Sequence, residues 1–306
     1  MIIQKKAYAK INLYLEILDK LPNGYHNIRT LMQKISLCDD LKINITRGTG
    51  KNINVTCEAE NIPTGRDNIV YKAAELFFDS AKISADIIID ITKKIPSQAG
   101  LGGGSSDAGS VLLALNEYFE HILPESDMLN IAAKVGADVP FFVKNTSCAV
   151  CEGVGEIITP VYIDLSGFCC LIAKPVYDIS TKRAFLDWDG FRPPRQHFVL
   201  PPLHGGEFRL SPGVYLIPLR GGVPPTAAGW LKNIRNDFEG LIFSQNKNIG
   251  VLKNLIAANN SAAAGLSGSG SALFGIFADL NDAQKCRVQI TQRSDIEFCG
   301  IFDFLC

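Results

Sequence analysis

Four glycines fall within five residues, Gly100 and Gly102 to Gly104, inside the stretch Ile95 to Asp107, IPSQAGLGGGSSD. Ahead of it, Ser84 to Ile95 (SADIIIDITKKI) alternates apolar and polar side chains and is rich in isoleucine, the pattern of a strand. Behind it, Ala108, Val111, Leu112, Leu115 and Phe119 recur at helical spacing, with Ser105 or Ser106 available as a cap and Asp107 as an acid in the first turn. A strand, a glycine loop and a helix start form an anion site, because unpaired backbone N–H groups and the positive end of the helix dipole meet at one spot. Glycine lets the backbone there take unusual dihedrals and come close to phosphate oxygens. A flexible turn before a buried helix is the other reading of the glycines taken alone. Two charged residues elsewhere are candidates for chemistry. Lys10 lies between Tyr8 and Tyr14 in AYAKINLYLEILDK, and Asp138 lies inside the apolar run GADVPFF. An aspartate is costly to bury unpaired, so Asp138 either meets a cation or does chemistry.

These residues need elements to position them. Ala7 to Lys20 alternates well enough for a strand that carries Lys10 and Asn12 on the face of Tyr8 and Tyr14. Pro22, Asn23 and Gly24 then mark a turn. Tyr25 and His26, just after it, read on their own as surface residues. Strands are predicted at Gln33 to Leu37 and Leu41 to Thr46, followed by a turn region through Pro63, Thr64 and Gly65. Asp67 or Asn68 caps a helix whose apolar stripe is Ile69, Ala73, Leu76 and Phe77. A further helix starts at Pro124, buries Met128, Leu129, Ala132 and Val135, and stops at Gly136. In the second half, Phe168 to Lys174 reads as a strand, Ser180 or Thr181 caps a short helix, and Asn236 to Glu239 opens another. A helix at Val251 to Asn259, a strand at Ala272 to Phe277, a helix at Asp282 to Ile290 and a strand at Glu297 to Phe304 complete the chain. Helices and strands mixed without strict βαβ alternation imply an α+β fold.

Composition narrows the function classes. The chain has 306 residues, 47% hydrophobic and 20% charged, which is the profile of an ordinary globular protein with room for two domains. Thirty Lys plus Arg against 31 Asp plus Glu give a net charge of -1, so no global basic field draws in nucleic acid or an anionic membrane. The cationic partners of a phosphate ligand must then be local, with Lys93, Lys94, Lys182 and Arg183 as candidates. Nine cysteines without framework spacing read as reduced thiols. Cys148 and Cys151 have the spacing of a metal or redox pair, but nothing completes a zinc site, and their run TSCAVCEG reads as a strand with core or edge packing. No apolar run approaches the ~18 residues of a membrane span and no signal peptide is evident, so a cytoplasmic protein is expected.

The glycine loop departs from the best-known phosphate loops. No lysine follows Gly104 as in a Walker A motif, and Ser105 replaces the third glycine of the dinucleotide fingerprint. Pro96-x-x-x-Gly-Leu-Gly-Gly-Gly-Ser-Ser instead resembles the phosphate loop of the GHMP small-molecule kinases. The resemblance runs along nearly the whole chain through AKINLYLEI, NGYHNIRTLMQKISLCDDL, PSQAGLGGGSSDA, GADVPFF with EGVGE, NDFE and GLSGSGS. It implies a two-domain α+β fold with the active site in the inter-domain cleft. The expected division is 1–160 for the ATP-binding domain and 161–306 for the substrate-side domain. It also implies an ATP- and Mg²⁺-dependent kinase. The expected acceptor is the 2-hydroxyl of diphosphocytidyl-methylerythritol, in the methylerythritol phosphate route to isoprenoids.

By the same resemblance, Lys10 and Asp138 form the catalytic pair, the carboxylate taking the hydroxyl proton and the ammonium offsetting negative charge. Asn12 orients the methylerythritol end, Tyr25 and His26 take the cytosine, and Thr181 and Phe185 close over the base. Asn68 and Ile69 contact adenine. The phosphates are wrapped by Pro96, Gly100, Leu101, Gly102, Gly103, Gly104, Ser105 and Ser106, and Ser106 is the expected Mg²⁺ ligand. The implied partner is the small-molecule substrate, with no nucleic acid and no membrane, and the expected assembly is a monomer or weak homodimer. A nucleotide-binding homologue that has lost turnover, or a GHMP kinase for another alcohol, are the alternatives.

One stretch departs from the family pattern. Leu186 to Gly229 holds eight of the 15 prolines and seven of the 27 glycines, and lysine is absent between Lys182 and Lys232. So many breakers, with so few periodic apolar positions, predict an irregular and weakly packed segment, and the helix near Thr181 is expected to stop early. The segment arises from an insertion or from a stretch translated out of frame. Limited proteolysis is expected to cut first between residues 190 and 226 and leave two stable fragments; protease resistance there, from well-packed helices, would refute it.

Overall fold

A long hairpin organises the N-terminal half. Strand β1 (Ile2–Lys20) turns at Leu21 to Tyr25, where Gly24 sits at φ +87°, and returns as β2 (His26–Arg47). The two strands expected between Gln33 and Thr46 are one continuous strand, because Asp39 and Asp40 are absorbed into its pairing with β1. The computed structural model describes residues 1–48, 50–59, 62–191, 231 and 234–306. The ladder between β1 and β2 shifts register between Tyr8 and Lys10 and again between Asn12 and Tyr14. These bulges break the simple alternation read from sequence, and every residue from Lys10 to Leu15 is buried.

Strands β3 (Ile53–Cys57) and β4 (Ala85–Thr92) extend this sheet along one end of β2, and β5 (Cys148–Gly153) with β6 (Ile157–Pro160) along the other. Neither β3 nor β6 stands out in the sequence, since five and four residues are too few to display a period. Cys148 and Cys151 are buried in β5, as expected of core thiols. Helices α1 (Ile69–Ala81), α2 (Gly103–Tyr118), α3 (Glu125–Val135) and α4 (Val139–Val143) cover one face through Val70, Phe77, Leu112, Met128 and their neighbours. Asn68 caps α1 by accepting from Val70 N at 2.8 Å. Helix α2 begins at Gly103 with Gly102 at its N-cap, earlier than a serine cap would place it, so Asp107 lies beyond the first turn.

The second sheet has the order β11-β7-β10-β9, from β7 (Cys169–Pro175), β9 (Ala263–Leu266), β10 (Leu273–Phe277) and β11 (Ile296–Asp303). Its Ile172, Phe274 and Ile276 share a buried cluster with Ala9, Ile11 and Leu13 of β1, which joins the two sheets. Helices α6 (Phe238–Gln245), α7 (Lys247–Ala258) and α8 (Leu280–Thr291) pack on this sheet through Leu241, Leu252, Ile256 and Cys286. Strand β8 (Arg235–Asn236) crosses back to pair in parallel with Tyr14 and Leu15. The fold is α+β, as expected.

Helix α5 (Thr181–Phe191) corrects one expectation. Leu186 to Phe191, the start of the segment predicted to be irregular, is helical, anchored by buried Ala184 and by aromatic contacts of Phe185 and Trp188 with Phe238. The remainder of that interval, residues 192–229, lies outside the described residues.

Helices α2 and α4 meet at Gly109, where a Cβ would stand 2.7 Å from Phe142 Cβ. Gly109→Ala is therefore expected to destabilise by about 1–3 kcal/mol, as overpacking does, read as a lower urea midpoint at unchanged slope. An unchanged midpoint would show that α4 yields.

Candidate active site

The first half of the site is a lysine held in place by backbone. The bulge before Lys10 turns its side chain into the interior, where it is 3% exposed and donates to Asn12 Oδ1 at 2.6 Å and to the Gly100 carbonyl at 2.9 Å. Asn12 in turn donates to Thr30 Oγ1 at 2.7 Å, which fixes the amide so that its oxygen faces the ammonium. Asp138 Oδ2 lies 3.4 Å from Lys10 Nζ, its side chain 30% exposed just ahead of α4. The aspartate thus meets a cation while keeping access to solvent.

The second half is the loop between β4 and α2. Asp39, fully buried, accepts from the backbone N–H groups of Lys94 and Ile95 at 2.6 and 2.8 Å and so fixes the chain as it leaves β4. Gly100 is at φ +75° and Gly102 at φ +72°, conformations that cost other residues strain. At Gly100 a Cβ would also fall 2.0 Å from the Ser267 carbonyl oxygen. Ser267 Oγ donates to the Gly100 carbonyl at 2.9 Å, the same oxygen that Lys10 reaches. Ser267 belongs to the turn Ser267 to Ser271 between β9 and β10, which is itself held by Asn236 Nδ2 donating to the carbonyls of Leu266 and Gly268 at 2.8 and 2.7 Å. Glu239 accepts from Leu266 N at 3.0 Å. The sequence marks NDFE and GLSGSGS as blocks without saying that one holds the other.

Loop and lysine open on one cleft of about 540 Å³. Lys10, Asn12, Asn68, Ile69, Pro96, Gly100, Leu101, Gly102, Gly103, Gly104, Ser105, Asp138, Thr181 and Phe185 line it, which brings together fourteen of the expected site residues. Ser106 is not on its wall and is 1% exposed, whereas Ser105 is on the wall. Tyr25 and His26 also lie off the wall. Tyr25 is exposed, and the His26 ring stacks on Phe185 with centroids 5.2 Å apart and planes 18° from parallel. Thr181 Oγ1 is 3.0 Å from Ser269 Oγ, which links α5 to the same turn as Ser267.

Three of the four cations expected to meet phosphate, Lys93, Lys94 and Arg183, have protein partners. Lys93 reaches the cleft wall but pairs with Asp39 and with Asp107 Oδ2, the latter at 2.8 Å. Lys94 pairs with Asp40 at 2.6 Å and Arg183 with Asp187 at 2.8 Å. Burial pushes the Asp107 carboxyl above its ordinary value while the Lys93 ammonium pulls it down. Positive potential in the cleft therefore comes chiefly from Lys10 and from the N-terminus of α2, and Lys93 is largely neutralised where it stands.

A strand, a glycine-rich loop at a helix start and a second α+β half closing over it define the class, a GHMP kinase. The model described as "GHMP kinases N terminal domain" matches residues 68–146, and "GHMP kinases C terminal" matches residues 227–295. The 4-diphosphocytidyl-2-C-methyl-D-erythritol kinase of Clostridium acetobutylicum is 33% identical over 283 residues, 92% of this chain and 92% of that one. The protein of the same name from Geobacter metallireducens is 33% identical over 296 residues, covering 95% and 94%. A crystal structure of a 4-(cytidine 5'-diphospho)-2C-methyl-D-erythritol kinase superposes with a TM-score of 0.70 at 26% identity, covering 98% of this chain and 99% of that one. Mevalonate kinase of L. major, at 14% identity and a TM-score of 0.63 over 99% of this chain and 95% of that one, shares the fold. The chain belongs to the 4-diphosphocytidyl-2-C-methyl-D-erythritol kinase family of the GHMP kinases, and it is an ATP-dependent small-molecule kinase.

Gly100→Ala adds a Cβ to a left-handed residue pressed against backbone, so the loop must move off the Ser267 turn. A loss of about 1–3 kcal/mol in stability and weaker ATP binding by calorimetry are expected together. Unchanged ATP affinity would show that the loop's contact with that turn does not shape the phosphate site.

Proposed function

We propose that the chain transfers the γ-phosphoryl group of ATP to the 2-hydroxyl of 4-diphosphocytidyl-2-C-methyl-D-erythritol, the acceptor named in its relatives. The observation that carries the reading is the pair Lys10 and Asp138, 3.4 Å apart on the wall of a cleft that the glycine loop also lines. Asp138, with one side open, accepts the hydroxyl proton as the oxygen attacks phosphorus. Lys10, anchored by Asn12 and Gly100, is a fixed positive charge beside the forming bond. Phosphoryl transfer asks mainly for alignment and charge stabilisation, so no covalent intermediate is required.

ATP lies with its phosphates along residues 100–105 and its base near Asn68 and Ile69, all of them on the wall of the cleft. Thr181 and Phe185 bound the acceptor, and its cytosine meets Tyr25 and His26 beyond Phe185. The exposed Tyr25 ring offers a face for stacking and His26 an edge for hydrogen bonds. Among the described residues no three His, Cys, Asp or Glu side chains cluster as a metal cage. Mg²⁺ is commonly held by substrate phosphates with one or two protein oxygens. The Ser105 hydroxyl on the cleft wall and Asp107, whose buried Oδ1 has no hydrogen-bond partner, are the groups that would hold it, in preference to Ser106. When bound it would neutralise charge on the β and γ oxygens.

Purified protein, ATP, Mg²⁺ and the diphosphocytidyl acceptor should release ADP. Asp138→Asn and Lys10→Ala are each expected to lower kcat about a hundredfold or more while ATP still binds, since general-base catalysis supplies roughly 10² to 10⁴. Near wild-type turnover in Asp138→Asn would sink the assignment.

A further inference from the structure

His26 is gripped by one face of α5. Phe185 stacks on its ring, and Asp189, one helical turn further on, places Oδ1 2.8 Å from its Nε2. Lys20, directly opposite His26 in the β1–β2 ladder, donates to the other oxygen of Asp189 at 2.6 Å. These bonds, Lys20 first and His26 second, hold the Asp189 carboxyl below the usual carboxylate range. An ionised carboxylate has no proton to give, so the hydrogen on this bond belongs to Nε2. A neutral imidazole protonated at Nε2 is bare at Nδ1, which has no partner among the described residues.

We propose that Asp189 is a positioning residue for base selection: by holding the His26 proton on Nε2 it leaves Nδ1 as an acceptor, which favours an acceptor substrate whose base carries an exocyclic amine over one whose base carries a carbonyl. The inference rests on the reading that His26 meets the base. An amine donates to bare Nδ1, whereas a carbonyl placed there faces a second lone pair. Asp189 touches no substrate itself and acts through the imidazole. Its place on α5 also explains why Thr181 and Phe185 ride on a helix longer than the segment's composition suggests.

The test has a spectroscopic and a kinetic arm. In ¹⁵N-labelled protein at a pH where imidazole is neutral, the His26 ring, assigned against His26→Gln among four histidines, is expected to show protonated Nε2 and bare Nδ1. Protonation at Nδ1 in the wild type would overturn the proposal without any variant. Asp189→Ala is expected to mix the tautomers. It should cut the preference in kcat/KM for the diphosphocytidyl over the diphosphouridyl acceptor about tenfold, through KM, with kcat nearly unchanged. Lys20→Gln, which removes the ion pair and spares the bond to His26, should keep both tautomer and preference, and Asp189→Glu should restore them in part. A discriminating wild type whose preference survives Asp189→Ala would overturn this proposal alone. A wild type that turns over both acceptors equally would overturn the base-reading role of His26 and this inference with it.

Discussion

One carbonyl oxygen, that of Gly100, receives both the Lys10 ammonium and the Ser267 hydroxyl. The glycine loop, strand β1 and the turn from the second sheet are all fixed relative to one another at this atom. A lysine that is 3% exposed would be costly without compensation, and here it has a carbonyl, an amide oxygen and a carboxylate around it. The arrangement lies among the bulges of β1, in a run that is buried without interruption from Lys10 to Leu15. It requires a residue without a Cβ at position 100, where a side chain would collide with backbone. Preorganised charge of this kind is what phosphoryl transfer demands, because little reorganisation is then left to the moment of reaction.

Much of this was legible in the residues. The glycine loop on the cleft wall announced itself through Gly100 and Gly102 to Gly104 between an isoleucine-rich strand and an apolar-periodic helix, because each signal is local and strong. Asp138 stood out for the same reason, as a charge in an apolar run. The start of α2 was displaced because the sequence offers two good capping serines, whereas in the fold Gly102 takes the left-handed N-cap position and the serines fall inside the first turn. Short strands β3, β6 and β9 left too few residues to show a period.

What could not be read was pairing at a distance. Lys93 looked like a free cation, and only the fold brings Asp39 and Asp107 to it from 54 and 14 residues away. Asn236 and Glu239 gave no sign of their hold on the 266–268 backbone, about thirty residues on. The beginning of the Pro- and Gly-rich interval was misjudged because Leu186 to Phe191 looks poor in helical signal, yet Phe185, Trp188 and Asp189 have partners on other elements that outweigh local propensity.

The two-residue strand β8 has a consequence for biosynthesis. Arg235 and Asn236 complete the edge of a sheet whose first strand is β1, pairing with Tyr14 and Leu15 across some 220 positions of chain, and Asp237 caps the junction by accepting from Ile17 N. Until residues 235–236 have been made, the Tyr14–Leu15 stretch of β1, close to Lys10, therefore lacks this partner. The nascent chain cannot assemble a finished phosphate-transfer site early, and its edge is exposed to foreign strands for that interval. The edge strand β8 and the Ser267 turn that bonds the Gly100 carbonyl are thus both made late in the synthesis of each molecule.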